Sequence, residues 1–142
     1  MTMTIHVDIV SAESQVYSGQ AQMVIAPAEM GDVGVAPRHT PLLTRLRPGE
    51  VKVIPESGDT MYFYVSGGIL EIQPHVVTVL TDTGVRSKDL NEAAALKAKE
   101  QAEQALANRQ GEFEYAKAKA ELAEAVAQLR AIQRIRQGGR GS

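Results

Sequence analysis

Apolar and polar residues alternate in short segments across the first half of the chain. Ile5, Val7 and Ile9 are separated by polar residues, and this period of two is typical of a half-buried strand. Similar apolar segments predict strands over 23–26, 51–54, 61–65, 69–72 and 76–80. Turn-forming residues at 55–59 make a hairpin of the two strands beside them. Short strands without helical segments between them favour an antiparallel sandwich or barrel.

Two glycine-containing stretches of this half stand out. Gly67 and Gly68 precede a predicted strand, where glycine permits a bulge or the close approach of another backbone. The stretch 31–34 (Gly-Asp-Val-Gly) is interpreted as a turn, because it lacks the lysine and the following helix of a phosphate-binding loop.

A helical pattern replaces the strand pattern after Ser87. All six prolines lie before residue 75, and the remainder is rich in alanine, the best helix former. We predict a first helix ending near Ala107, a break at 108–112 and a second helix from about Phe113 to Arg136. Asp89, three residues before a glutamate, predicts a variant capping box at the first helix.

Each predicted helix has one apolar face. In the second helix this stripe consists of Leu122, Val126, Leu129 and Ile132. In the first helix the matching face is predicted at Leu90, Ala94, Ala98, Ala102 and Ala105. Because most of these side chains are small, burying them stabilises the hairpin little, at ~0.8 kcal/mol per buried CH₂. The hairpin is therefore expected to be able to separate from its surroundings.

Composition excludes several classes of function. The chain has no cysteine, so disulfides, thiolate metal sites and cysteine nucleophiles are excluded. A net charge of −2 gives no general attraction to nucleic acid or anionic lipid. No apolar segment approaches the ~20 residues that span a bilayer, and the N-terminus does not resemble a secretory signal. With only six aromatic residues, the core must be mostly aliphatic.

Candidate chemistry is sparse. No nucleophile, phosphate-loop or metal-binding motif occurs, and His6, His39 and His75 are far apart. A small hydrolase built on His39 and Asp32 stays open as an alternative, although nothing suggests its nucleophile. Tyr62 and Tyr64 share one face of a strand; this favours a core edge or an interface over a base-stacking platform. The basic cluster from Arg130 onward suits a helix C-terminus and would also suit an acidic partner.

Two longer stretches are more specific. Residues 31–44 (GDVGVAPRHTPLLT) and 66–82 (SGGILEIQPHVVTVLTD) resemble the two signature blocks of the epsilon-subunit family of F-type ATP synthase. The length of the chain, the order of its domains and its helical hairpin also resemble that family. The resemblance implies an α+β architecture. A flattened, ten-stranded antiparallel β sandwich in 1–87 binds the central stalk and c-ring, and a regulatory helical hairpin with a short flexible tail fills 88–142.

The resemblance also implies function. The chain is expected to be a non-catalytic rotor subunit that couples the catalytic head to the c-ring and inhibits ATP hydrolysis when its hairpin extends. Its expected partners are the gamma subunit, the c-ring and the alpha and beta subunits. Carried over by position, Ser11, His39, Thr44 and Ser66 face gamma, and Asp32 lies in an acidic loop that faces the c-ring. Inhibitory contacts to alpha and beta are expected from Leu129, Arg130, Ile132, Arg134 and Arg136.

The nucleotide-sensing motif of the family, I/L-D-x-x-R-A, is degenerate here. It reads Leu90, Asn91, Glu92, Ala93, Ala94, Ala95, so the aspartate is Asn91 and the phosphate-pairing arginine is Ala94. We therefore expect no tight binding of ATP by the isolated chain, and no other cofactor or metal.

Two questions remain open from the sequence. An adaptor that presents a coiled-coil hairpin to another assembly explains the composition but not the signature blocks. For localisation, the resemblance favours the cytoplasmic face of a bacterial inner membrane, peripheral to it, with an organelle-encoded or processed chain as the alternative.

Overall fold

The computed structural model describes residues 3–108 and 111–138. Within them, ten strands precede two helices. The strands are β1 (Ile5–Ser11), β2 (Gln15–Ala21), β3 (Met23–Ala28), β4 (Gly31–Val35), β5 (Leu42–Leu46), β6 (Gly49–Ile54), β7 (Met61–Val65), β8 (Gly68–Ile72), β9 (Val76–Thr81) and β10 (Gly84–Arg86). A 3₁₀ helix (Ser87–Asp89) leads into α1 (Glu92–Ala107) and α2 (Glu112–Gly138). The predicted β domain followed by a helical hairpin is confirmed.

The strands form one sheet that folds into a nearly closed sandwich. Its order is β10-β7-β6-β3-β5-β8-β9-β1-β2, and β4 also pairs with β3. The two ends of the sheet meet where Gly84 of β10 lies against Ile9 and Val16. One pairing, β1 with β9, is parallel, which differs from the fully antiparallel sheet expected. Because these strands are far apart in sequence, no hairpin turn dictates their direction.

Alternation along the strands builds the core. In β1, Ile5, Val7 and Ile9 have no exposed surface, as the period of two predicts. Phe63 is the one phenylalanine of the core and packs against Tyr17 with ring centroids 5.2 Å apart. The other core members are aliphatic: Ala21, Val24, Ala26, Val35, Leu46, Val51, Val53, Val65, Leu70, Ile72, Val77 and Val79.

The strands that the sequence pattern missed are β2, β4, β5 and β10. The interpretation of 31–34 as a turn was wrong, because these residues begin β4 and pair with β3 from Ala28 to Ile25. Asp32 therefore lies in a strand rather than in the loop expected for it. Polar and glycine-rich segments such as β2 and β4 carry little hydrophobic pattern, and their ladder hydrogen bonds to neighbouring strands define them.

Of the two alternatives for the glycine pair, a bulge or a close approach of another backbone, the structure shows the close approach. Gly68 has φ +130°, and a Cβ placed on it would lie 1.9 Å from the carbonyl oxygen of Leu80. Only glycine can occupy that position without moving β9.

The structure corrects the start of α1. Asn91 is its N-cap, and Asn91 Oδ1 accepts a hydrogen bond of 3.0 Å from the Ala94 backbone N–H. Asp89, predicted to cap the helix, belongs to the preceding 3₁₀ helix. Asparagine is as good an N-cap as aspartate, so composition alone did not decide between the two.

The packed face of α1 was predicted correctly only in part. Ala102 is buried as predicted, but the other buried residue is Ala95, and Ala94, Ala98 and Ala105 of the predicted face are exposed. In a helix where nearly every second residue is alanine, the pattern cannot decide between faces one position apart. In α2 the predicted stripe is half-buried, and the buried residues are Ala118, Ala125 and Ala131. Residues 109 and 110 of the predicted break, and 139–142 of the predicted tail, lie outside the described residues.

Candidate functional site

Helix α2 lies on the outer surface of β6 and β7. Glu50 pairs with Tyr64, and Lys52 with Tyr62, and residues paired across antiparallel strands point to the same side of a sheet. The alternate residues, including Val51 and Phe63, face the core. The prediction that Tyr62 and Tyr64 mark a core edge or an interface is confirmed, because both lie at the surface that α2 covers.

Arg134 of α2 is bound by two side chains of the sandwich, Glu50 and Tyr62, and Ser87 holds the carboxylate of Glu50. Its Nε donates to Oε1 of Glu50 at 2.8 Å and its Nη2 donates to Oε2 at 2.7 Å. Its guanidinium lies over the ring of Tyr62, 3.5 Å from the centroid. Ser87 Oγ donates to Glu50 Oε2 at 2.7 Å. We call Glu50, Tyr62, Ser87 and Arg134 the Arg134 site. The hydrogen bonds that Arg134 donates to Glu50 raise the pKa of Arg134, which keeps it charged.

Tyr64 and Glu124 meet nearer the middle of α2. The Tyr64 side chain is fully buried, and its hydroxyl donates to the backbone carbonyl of Glu124 across 3.5 Å. Burial and the charge of Glu124 raise the pKa of Tyr64 to about 12. Burial, Glu121 and Asp82 together raise the pKa of Glu124 above its usual value. Ionisation of Glu124 is therefore unfavourable in this part of the interface.

The residues predicted for inhibitory contacts differ in exposure while the hairpin is docked. Arg130 and Arg136 are exposed, Leu129 and Ile132 are half-buried, and Arg134 is bound at the Arg134 site. Arg136 pairs with Glu92 of α1 at 2.9 Å, and both side chains are exposed. This ion pair joins the two helices to each other and does not involve the sandwich.

Two of the residues predicted to face gamma lie close together. Ser11 is the register partner of Thr81, and Ser66 Oγ lies 3.3 Å from Thr81 Oγ1. Thr44 lies opposite Leu70, on the sheet face that points to the core, whereas Leu43 beside it is 69% exposed.

The other two predicted positions lie elsewhere. His39 follows β4 in a loop, where its Nδ1 lies 2.6 Å from the Thr40 carbonyl. Asp32 pairs with Arg47 at 2.7 Å on the surface. The two are separately engaged, so the acid–base pair considered for a hydrolase does not form in this structure.

A polar cluster on β1 and β2 was missed by the sequence analysis. Asp8 Oδ1 and Ser18 Oγ both approach Nε2 of His6, at 3.0 and 3.1 Å, and Gln20 approaches its Nδ1 at 3.1 Å. A catalytic relay needs the acid and the nucleophile on different ring nitrogens. The cluster lacks that arrangement, and hydrogen bonds to Ser18 and His6 lower the pKa of Asp8. It is a surface network across neighbouring strands.

The degenerate nucleotide motif has a structural use. Asn91 caps α1 and Ala95 is buried, while Leu90 is half-buried and Ala94 is exposed.

Among the described residues, no group of three or more His, Cys, Asp or Glu side chains could hold a metal ion. An open cleft of about 700 Å³ separates α2 from β4 and β6, lined among others by Lys52, Lys119 and Arg130.

Two family models match the chain. The beta-sandwich domain of the ATP synthase delta/epsilon chain matches residues 4–87, and the long alpha-helix domain of the same chain matches residues 88–133. The chain belongs to the ATP synthase delta/epsilon chain family. The resemblance drawn from the two signature blocks is confirmed.

Curated relatives cover nearly all of the chain. The ATP synthase epsilon chain of Nitrosococcus oceani is 64% identical over 136 residues, which are 96% of this chain and 97% of that relative. The ATP synthase epsilon chain 1 of Methylococcus capsulatus is 59% identical over 138 residues, with 97% and 99% covered. Such proteins are stalk subunits rather than catalytic subunits of the complex, and the prediction of a non-catalytic subunit is confirmed.

Solved structures share the fold. A chain in the OSCP/F1/c-ring structure of Euglena gracilis mitochondrial ATP synthase aligns with a TM-score of 0.80 at 19% identity, covering 91% of this chain and 81% of that chain. A chain in the central stalk/c-ring structure of the Tetrahymena thermophila enzyme aligns with a TM-score of 0.68 at 14% identity, covering 92% and 97%.

Proposed function

We propose that the sandwich joins the gamma subunit to the c-ring, and that the hairpin inhibits ATP hydrolysis when it leaves the sandwich and contacts alpha and beta. The observation that carries this proposal is the contrast in packing. The sandwich has a continuous aliphatic core, whereas the fully buried residues of α1 and α2 are all alanines. The hairpin can therefore leave while the sandwich stays folded.

An exposed apolar surface supports binding to gamma. Ile69 and Leu80 are register partners and are 43% and 45% exposed, and Leu43 on the neighbouring strand is 69% exposed. Grouped apolar side chains on one face are typical of interaction sites. Ser11 lines the same surface depression as Ile69 and Leu80, and Ser66 lines the adjoining one with Ile69. Ser11 and Ser66 supply the polar rim of the proposed gamma contact, and His39 lies further along, in the loop before β5. Thr44 on β5 faces the core instead of this surface.

The turn between β3 and β4 is the proposed contact with the c-ring. Met30 at this turn is 95% exposed, and Asp32 follows it at the surface of the sandwich. An exposed methionine beside a carboxylate can adapt to a partner surface with mixed polarity.

For the hairpin, the proposed inhibitory contacts come from one end of α2. A helix of 27 residues is roughly 40 Å long at 1.5 Å per residue, which is long enough to enter the catalytic head. Arg130 and Arg136 are already exposed, and undocking adds Leu129, Ile132 and Arg134 to that surface.

We also propose that the isolated chain does not bind ATP at micromolar concentration. Asn91 is occupied as an N-cap, and Ala94 offers no charge to a phosphate. Isothermal titration of the full chain with Mg-ATP should give no saturable heat. A micromolar affinity would overturn this proposal.

The proposed location is the cytoplasmic face of a bacterial inner membrane, peripheral to it through the complex. Within the described residues, neither helix combines the length and the hydropathy that a bilayer crossing requires. Membrane fractions should therefore release the chain together with the catalytic head.

Reconstitution tests the function directly. The full chain, or a version ending at Ser87, is added to catalytic head complex depleted of this subunit, and binding and ATP hydrolysis are measured. We expect both to bind and only the full chain to inhibit. If both bind and neither inhibits, the hairpin is not a brake; if neither binds, the chain is an adaptor for another assembly.

A further inference from the structure

We propose that Glu50, Tyr62 and Ser87 form an arginine-binding site that holds α2 on the sandwich through Arg134, and that its occupancy sets how often the hairpin is free. The hairpin's effect on hydrolysis rests on the function proposed above; the binding site itself does not.

The geometry is specific for a guanidinium group. The two carboxylate oxygens of Glu50 receive Nε and Nη2 in parallel, at 2.8 and 2.7 Å, and the ring of Tyr62 covers the guanidinium plane at 3.5 Å. A planar fork satisfies both contacts at once, whereas a lysine ammonium satisfies neither the parallel pair nor the stacking.

The sandwich side of the site is built without α2. Glu50 lies on β6, Tyr62 lies on the adjacent β7, and Ser87 directly follows β10, which also pairs with β7. Ser87 is buried and orients the carboxylate of Glu50 through its hydroxyl. Because these groups stand on paired strands, the site persists when the helix leaves and can recapture Arg134.

The Glu50–Arg134 contact also differs in kind from the other contacts between the hairpin and the sandwich. Among the residues that the structure describes, Glu50–Arg134 is the one ion pair between the helical hairpin and the sandwich. The side chains of Glu50 and Arg134 are only 18% and 31% exposed. Removing either partner leaves the other charge partly buried without its partner, a large penalty compared with that for a surface pair.

Docking and inhibition then compete for one side chain. Arg134 is among the residues proposed to contact the catalytic subunits, and while it is bound to Glu50 it is unavailable to them. Loss of Glu50 should therefore increase inhibition by freeing a helix that still carries Arg134. Loss of Arg134 should free the helix and weaken its contact with the catalytic head.

Docking can be measured in the isolated chain. Because the chain has no cysteine, Ser57→Cys on the sandwich and Lys117→Cys on α2 give two exposed labelling sites for energy transfer between fluorophores. We expect Glu50→Gln and Arg134→Lys each to raise the ratio of undocked to docked chains about tenfold, and Tyr62→Leu to raise it about threefold. Arg136→Lys is the matched control: it makes the same change two residues away, in a side chain that pairs with Glu92 of α1, and it should leave the ratio unchanged.

The outcomes separate the two proposals. An unchanged ratio in both Glu50→Gln and Arg134→Lys, with the sandwich melting normally, overturns the arginine-binding site whatever happens to hydrolysis. A raised ratio in both establishes the site. If Glu50→Gln then fails to increase inhibition in the reconstituted complex, the site stands and the inhibitory function fails. The two variants lie on opposite sides of the contact, so misfolding of one leaves the other to decide.

Discussion

The sandwich and the hairpin differ in the types of side chain that they bury. In the sandwich, valine, isoleucine and leucine side chains from most of the strands lose nearly all their exposed surface. In α1 and α2 the buried residues are five alanines, Ala95, Ala102, Ala118, Ala125 and Ala131, and the contact with the sandwich includes the Arg134 site and the Tyr64 hydroxyl. Apolar burial scales with area, so we expect burial to stabilise the sandwich more than it stabilises the docked hairpin. This difference in packing is what the proposed release of the hairpin requires.

The largest expected effect lies in the sandwich. Phe63 is 1% exposed, and Phe63→Ala should destabilise the protein by about 3–5 kcal/mol because a cavity replaces its ring. Chemical denaturation followed by circular dichroism measures this loss. Phe113→Ala is the control, because Phe113 at the start of α2 is 81% exposed; an equal loss there would contradict the contrast between the regions.

A smaller effect is expected from enlarging a buried alanine of the hairpin. Ala125 is 2% exposed, and Ala125→Leu should destabilise the docked hairpin by about 1–3 kcal/mol through overpacking. Hydrogen exchange should then accelerate in α1 and α2 while the amides of β1 and β9 remain protected. Ala98→Leu, at an exposed position that the sequence placed on the packed face, should change neither region.

The N-cap of α1 contributes less again. Asn91→Ala removes the acceptor for the Ala94 N–H and should cost about 1 kcal/mol, seen as faster exchange of the amides at 92–95. Asn91→Asp keeps an acceptor and should preserve protection. If the amides at 92–95 exchange at the same rate in the Asn91→Ala variant as in the unaltered chain, the cap observed in the structure has no energetic role.

The smallest effect concerns pH. The pKa of Glu124 is raised in the folded chain, first by burial and then by Glu121 and Asp82. A raised pKa means that the carboxyl stabilises the docked state while protonated, and that this contribution is lost as pH rises through the raised pKa. Glu124→Gln should therefore raise the melting temperature by about 1–3 °C at pH 7.

The same difference should vanish when both forms are neutral, below the ordinary glutamate pKa of 4.5. Glu103→Gln, at an exposed position of α1, is the control and should show no such dependence. A Glu124→Gln gain that persists unchanged into acid would rule out the charge as its cause.

Much of the fold could be predicted from local patterns. The period of two identified β1, the apolar segments on either side of the turn at 55–59 identified β6 and β7, and the composition change at Ser87 separated strands from helices. These features are local because each depends on residues within one element. The edge strands β2 and β4 were missed because backbone hydrogen bonds to a partner strand define them.

The candidate site depended on contacts that no local pattern contains. The sequence identified Arg134 as part of a basic cluster and Tyr62 as an interface residue, yet nothing in either segment names Glu50, which lies 84 residues from Arg134. The choice of Ala95 over Ala94 as the buried residue of α1 likewise depends on the direction from which α2 approaches.

The sequence by itself determined the two helices and six of the ten strands, that the core is aliphatic, and that the chain resembles an ATP synthase subunit. Only the tertiary structure decided that the hairpin lies on β6 and β7, with Arg134 bound by Glu50 and Tyr62, and with Ser87 hydrogen-bonded to Glu50. The physical reason is that secondary structure follows from periodic burial within a few turns or strands. The contact between the hairpin and the sandwich depends instead on the relative positions of two folded units.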